Sequence, residues 1–125
     1  MGENGAGLYA YAHSGTILIS DTSIADNTAT GSGGGAWFYA TSDGEVRLEN
    51  AEVTGNVASR NGGGIAGYAA FRGMTTIANS LIQGNELVNV ADSSDGVGGG
   101  LYLKSEWNSS QAVTGSQIIL SLIHI

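Results

Sequence analysis

Cysteine and proline are absent from this 125-residue chain, and basic residues are scarce. Without cysteine no disulfide framework can form, an absence compatible with any compartment. Four Lys and Arg against 11 Asp and Glu leave a formal net charge of −7. That balance argues against a nucleic-acid partner, because phosphate recognition needs a basic footprint. No run of about 18 apolar residues occurs, so no membrane span is expected. Met1 is followed by GENGAG rather than by a basic stretch and an apolar segment, so no secretory leader is visible. Histidine occurs only at positions 13 and 124, which rules out a His-built metal cluster. An apolar period of 3.6 residues, long enough for a helix, is missing too. Glycine, by contrast, fills 21 positions of a chain that is 42% hydrophobic and so too apolar for a solvated linker.

The glycines are periodic. GGGAWFYA (33–40), GGGIAGYA (62–69) and GGGLYLKS (98–105) repeat one block, with a weaker copy, GAGLYAYA, at 5–12. The third glycine of each block falls at 7, 35, 64 and 100, in steps of 28, 29 and 36. A second block keeps phase with the first: TILISDTSIADN (16–27), EVRLENAEVTGN (45–56) and MTTIANSLIQGN (74–85) superpose at a 29-residue spacing without a gap. A further copy begins at AVTGSQI (112–118). Each period offers about three short, alternating, β-branched or aromatic runs separated by Gly, Asn, Asp or Ser, which read as strands. Strands repeated identically from period to period satisfy their backbones by pairing with the same strand one period above. The expected fold is therefore all-β, a right-handed parallel β-helix (solenoid) of about three to four coils of roughly 29 residues, about 4.8 Å apart. The glycines fall at a corner where positive φ is expected. The columns Asp21, Asn50, Asn79 and Asn27, Asn56, Asn85 suit another corner, where stacked amides can bond to one another.

The glycine blocks, each followed by a segment ending in hydrophobic-x-x-Asn (IADN, VTGN, IQGN), resemble the repeats of polymorphic outer-membrane proteins. They are similar also to bacterial surface proteins built from right-handed β-helix repeats, autotransporter adhesin passengers among them. The outer-membrane pattern places Phe at the head of its Phe-x-x-Asn motif, where this chain has Ile24, Val53 and Ile82. The resemblance covers residues 5 to 118 and implies a secreted or surface-displayed protein of the cell surface or outer membrane. It implies a structural and adhesive role, with a glycan or a host or cell-surface protein as partner and neighbouring β-helix coils in the parent chain. The competing expectation is a non-catalytic portion of a β-helix polysaccharide lyase or glycosidase.

No enzyme signature stands out. GGGIAG at 62–67 formally matches G-x-G-x-x-G, but its sibling copies lack the last glycine and no helix follows to receive a pyrophosphate. Neither G-x-S-x-G nor a phosphate-binding loop with its lysine occurs. The acidic residues are scattered, and Glu45, Glu49 and Glu52, along one turn with Arg47, read as an outward solvated face. Catalytic residues, metal ligands and cofactors are therefore all expected to be none. The longer step holds seven extra residues within 85–97, whose Asp92 and Asp95 offer at most a weak calcium site in a solvated insertion. Residues 1–119 read as β-helix incomplete at both ends. Residues 120–125 depart from the template and read as a non-native, adapter-derived tail of the kind that assembled metagenomic reads carry.

Candidate binding residues follow from alternation. If Leu8, Ala36, Ile65 and Leu101 point inward, with Ala10, Phe38, Gly67 and Leu103 as the next column, the residues between and beyond them point out. Tyr9, Trp37, Ala66 and Tyr102 then form one exterior column, and Tyr11, Tyr39, Tyr68 and Lys104 the next. Tyr9, Tyr11, Trp37, Tyr39, Tyr68 and Tyr102 are thus the candidate ligand-binding residues, expected as a flat aromatic strip. Packing of the rings on one another to brace the sheet is the alternative role.

Overall fold

The computed structural model describes residues 3–88, 98–119 and 122–123, and these contain strands but no helix. The chain passes four times through the same series of strands. The first pass contains β1 (Leu8–Ala12), β2 (Thr16–Ser20) and β3 (Ser23–Ala25). The second contains β4 (Ala36–Ala40), β5 (Glu45–Glu49), β6 (Glu52–Thr54) and β7 (Val57–Ala58). The third contains β8 (Ile65–Ala69), β9 (Met74–Ala78), β10 (Leu81–Gln83) and β11 (Glu86–Leu87), and the fourth β12 (Leu101–Ser105), β13 (Ser110–Thr114), β14 (Gln117–Ile119) and β15 (Leu122–Ile123).

Corresponding strands of successive passes lie side by side in four sheets, ordered β1-β4-β8-β12, β2-β5-β9-β13, β3-β6-β10-β14 and β7-β11-β15. Every pairing is parallel. The register keeps the columns expected from the repeat: Ala10, Phe38, Gly67 and Leu103 align, as do Ile19, Leu48, Ile77 and Val113. Ile24, Val53, Ile82 and Ile118 form the column of the third sheet. Inward residues of the first three sheets meet in one core around Phe38, Val46, Leu48, Val53, Ile65, Ile77 and Ile82. The fourth sheet was not anticipated. Its strands are only two residues long, too short to show alternation, and it packs a small cluster of its own from Ala29, Ala58 and Leu87.

The corners explain the residue choice. At the corner between the fourth and first sheets only the first glycine of each block has positive φ: Gly5, Gly33, Gly62 and Gly98, at 59° to 70°. This corrects the expectation that the whole triplet turns on positive φ. The second and third glycines are required by close approach instead. A Cβ on Gly34 would lie 2.5 Å from the Val57 carbonyl oxygen, and one on Gly63 would lie 2.5 Å from that of Glu86. A Cβ on Gly35 or Gly64 would come within 2.8 Å of the Nδ2 of Asn56 or Asn85. The glycine and asparagine blocks keep the same phase because the third glycine makes room for the asparagine that follows the third strand of the same pass.

That asparagine column is a buried ladder. Asn56 and Asn85 are fully buried. Asn27 donates from both its backbone N–H and its Nδ2 to the Asn56 Oδ1, at 3.0 Å each. Asn56 repeats the pattern onto the Asn85 Oδ1, and its Nδ2 also donates to the Ile24 carbonyl at 2.9 Å. Amides whose donors and acceptors are all taken can be buried at little cost. The Asp21, Asn50, Asn79 column, at φ of 50° to 51°, turns the chain between the second and third sheets; Asn and Asp are the side chains that tolerate this region. One interior spot is less well satisfied. The Thr75 Oγ1 and Gln111 Oε1 are buried without a partner, and both lie 3.6 Å from where a Cβ on Gly67 would stand, a position the Leu103 Cδ2 crowds at 2.7 Å.

Candidate functional site

Alternation along the first sheet places Tyr9, Trp37, Ala66 and Tyr102 in one exterior column and Tyr11, Tyr39, Tyr68 and Lys104 in the next. The six candidate aromatics therefore share one face. Tyr9 and Tyr11 are 59% and 49% exposed, while Trp37, Tyr39, Tyr68 and Tyr102 are half-buried. Ala66 faces outward yet is fully buried, its methyl lying beneath the larger side chains around it.

Trp37 is the hub of the cluster. Its ring centroid lies 4.7 Å from that of Tyr9 with planes 15° apart, and 5.7 Å from that of Tyr39 at 4°. Tyr68 leans over the Ala66 gap, 5.4 Å from Trp37 at 36°, and meets Tyr102 edge-on at 5.7 Å. Tyr11 and Tyr39 are tilted at 5.4 Å. Near-parallel rings this close are offset-stacked, with their faces turned toward one another. The face is therefore not the flat strip expected from spacing alone. Trp37 is half-buried among its neighbours, and Tyr9 and Tyr11 are the exposed members of the cluster. The change arises because the distance between parallel strands, about 4.8 Å, matches an offset stack and is too short for rings lying side by side in one plane.

The cluster borders a polar notch. A shallow pocket of about 70 Å3 is lined by Tyr39, Tyr68, Ala69, Ala70, Lys104 and Glu106. Lys104 Nζ pairs with Glu106 Oε1 at 2.8 Å, and this hydrogen bond and charge hold the ammonium pKa above its usual value.

The turn into the second sheet carries a second aromatic feature that sequence reasoning missed. Phe71 and Trp107, 54% and 67% exposed, stack with centroids 5.7 Å apart and planes at 4°. Both occupy the left-handed region, at φ of 47° and 55°, and so do their successors Arg72 and Asn108. Positive φ is unusual for a bulky side chain. The turn is closed by Gly73 N–H donating to the Ala70 carbonyl at 2.8 Å. The signal for the pair was present, since 71 and 107 are separated by the same 36 residues as the third glycines at 64 and 100. Both residues sit in a turn, outside the alternating columns of the strands. Next to Phe71 in the same turn, Arg72 makes a two-pronged contact with Asp43 at 2.7 and 2.6 Å. That hydrogen bond is the main reason the Asp43 pKa lies below the usual carboxylate value.

Charges on the second sheet are paired with one another. Arg47 on β5 donates to Glu49 and lies 3.8 Å from Glu45, on the outward side of the strand. Among the described residues no group of three or more His, Cys, Asp and Glu is placed to hold a metal. Asp92 and Asp95 lie outside the described residues, as do positions 120, 121, 124 and 125. Leu122 and Ile123 pair with Glu86 and Leu87. Compared with protein-family models, curated proteins and solved structures, the chain matches none.

Proposed function

We propose that the chain is a stretch of right-handed parallel β-helix from a secreted or surface-displayed bacterial protein, and that the exterior of its first sheet is an adhesive face for a glycan chain. Four parallel sheets visited in fixed order support the β-helix reading. Right-handedness follows the general rule for crossovers between parallel strands of one sheet. The observation that carries the adhesive reading is the gathering of six aromatics on one face, with Tyr9 and Tyr11 open to solvent. Saccharides offer apolar C–H faces beside hydroxyls. Tyr and Trp answer both, with a broad apolar ring and a polar group on each. The Lys104–Glu106 pair at the notch adds charged hydrogen-bond partners. Such a surface works by shape and stacking and needs no nucleophile, metal or cofactor.

The double variant Trp37→Ser, Tyr39→Ser tests this, with binding to a panel of neutral and acidic polysaccharides measured beside the thermal transition. Lost binding with an unchanged transition supports the adhesive face. Loss of the transition itself assigns the rings to bracing the sheet. Cell binding that persists after enzymatic removal of surface glycans points to a protein partner instead.

A further inference from the structure

The turn between the first and second sheets repeats in the second, third and fourth passes. Its two central residues take positive φ each time, at 47° to 68°: Ser42 and Asp43, Phe71 and Arg72, Trp107 and Asn108. Two such residues in succession make a tight turn. The N–H groups of Gly44 and Gly73 close the first two copies onto the Thr41 and Ala70 carbonyls at 2.9 and 2.8 Å. In the last copy the Ser109 hydroxyl braces the turn instead. It accepts from the Glu106 N–H at 2.9 Å and donates to the Ala69 carbonyl at 2.7 Å.

This last turn reads Glu106-Trp107-Asn108-Ser109-Ser110. Asn-x-Ser, with x other than proline, is the acceptor pattern for an N-linked glycan when it lies on a surface loop. No other asparagine of the chain is followed two residues on by Ser or Thr. Glu106, two residues earlier, extends the match to acidic-x-Asn-x-Ser, the form that bacterial oligosaccharide transferases read.

The structure supplies the surface loop. Asn108 is exposed, and among the described residues its amide has no hydrogen-bond partner. Asn27, Asn56 and Asn85, by contrast, spend their amides on the ladder. Exposure belongs to this place in the turn and not to the last pass. Asp43 and Arg72 hold the same place with a pass on either side, yet their side chains are 61% and 69% exposed. Ser109 is committed to the turn, whereas Ser110, exposed at the start of β13, offers the hydroxyl that the pattern requires.

We infer that Asn108 is an attachment site for an N-linked glycan, presented by the folded turn. Its Nδ2 forms a bond to the anomeric carbon of an oligosaccharide carried on a lipid pyrophosphate. The bond from that carbon to the pyrophosphate oxygen breaks, the pyrophosphate leaves with the electron pair, and a base of the transferase takes the Nδ2 proton. The site is independent of the aromatic face: here the chain carries a glycan, whereas that face would hold one.

The test incubates the folded 125-residue chain with a purified bacterial oligosaccharide transferase and its lipid-pyrophosphate-linked oligosaccharide. Intact-mass and peptide mass spectrometry read the product, and circular dichroism confirms that each sample is folded. The expected result is one oligosaccharide per chain, on the peptide that contains Asn108. Asn108→Gln and Ser110→Ala, both at exposed positions, should abolish the increment, Ser110→Thr should retain it, and Glu106→Gln should slow its appearance. A folded wild-type chain that gains no mass overturns the inference, and that reading needs no variant to fold. An increment that survives in Asn108→Gln overturns it too, as does transfer that occurs only after the chain is denatured.

Discussion

Asn56 shows how one side chain can hold three passes together. Its Oδ1 accepts from Asn27, and its Nδ2 donates to the Ile24 carbonyl and the Asn85 Oδ1. Asn56→Ala removes these bonds and strands a buried carbonyl and a backbone N–H, which should cost about 3 kcal/mol. Asn27→Ala, at the partly exposed start of the ladder, should cost about 1 kcal/mol; chemical denaturation of the two variants checks the order. Thr75 predicts the opposite sign. Thr75→Val deletes a buried hydroxyl that has no partner at nearly constant volume and should stabilise by about 1 kcal/mol. Asp43 gives a pH signature. Its carboxyl is held down first by the hydrogen bond from Arg72, so the folded pKa lies below the unfolded one. The contribution of the pair is complete above the unfolded pKa, about 3.9, and is lost as pH falls through the lower folded value. An NMR titration should place the Asp43 midpoint below about 3.9, and Arg72→Ala should return it toward that value.

The elements are short, and the corners that join them determine where they sit. Gly63 and Gly84 separate the two reasons for glycine. A Cβ at Gly63 would run into the carbonyls of Glu86 and Gly99, whereas Gly84, at φ 62°, has open space around it. Gly63→Ala should therefore cost about 3 kcal/mol or more through displaced backbone, and Gly84→Ala about 1–2 kcal/mol from the left-handed conformation alone. Comparing their unfolding midpoints checks the assignment. The three longer strands of each pass were legible because five-residue runs such as AWFYA and EVRLE alternate cleanly and recur at one spacing. Val57–Ala58 and Glu86–Leu87 were not, since two residues carry no period. The six aromatics could be placed on one face from alternation. Their stacking could not, because ring orientation depends on the gap at Ala66 and on neighbours one pass away. The Phe71–Trp107 pair escaped notice because it sits in a turn, outside the strand pattern.

At the scale of the molecule, the account rests on one geometrical claim: each pass lies on the one before with the same residues side by side. The core, the amide ladder and the aromatic cluster all depend on that register. The absence of cysteine makes it directly measurable. Glu45 and Met74 are register partners on adjacent strands, and neighbouring parallel strands are spaced within the Cα range a disulfide spans, about 4.4–6.8 Å. Thr76 lies two residues beyond Met74 on the same face, which puts it roughly 8 Å from Glu45. The measurement is the oxidation yield of Glu45→Cys, Met74→Cys against that of Glu45→Cys, Thr76→Cys in dilute folded protein. The in-register pair should close efficiently within one chain and the displaced pair should stay reduced. Equal closure, or closure of the displaced pair alone, would contradict the stacked register and with it the proposal of a β-helix.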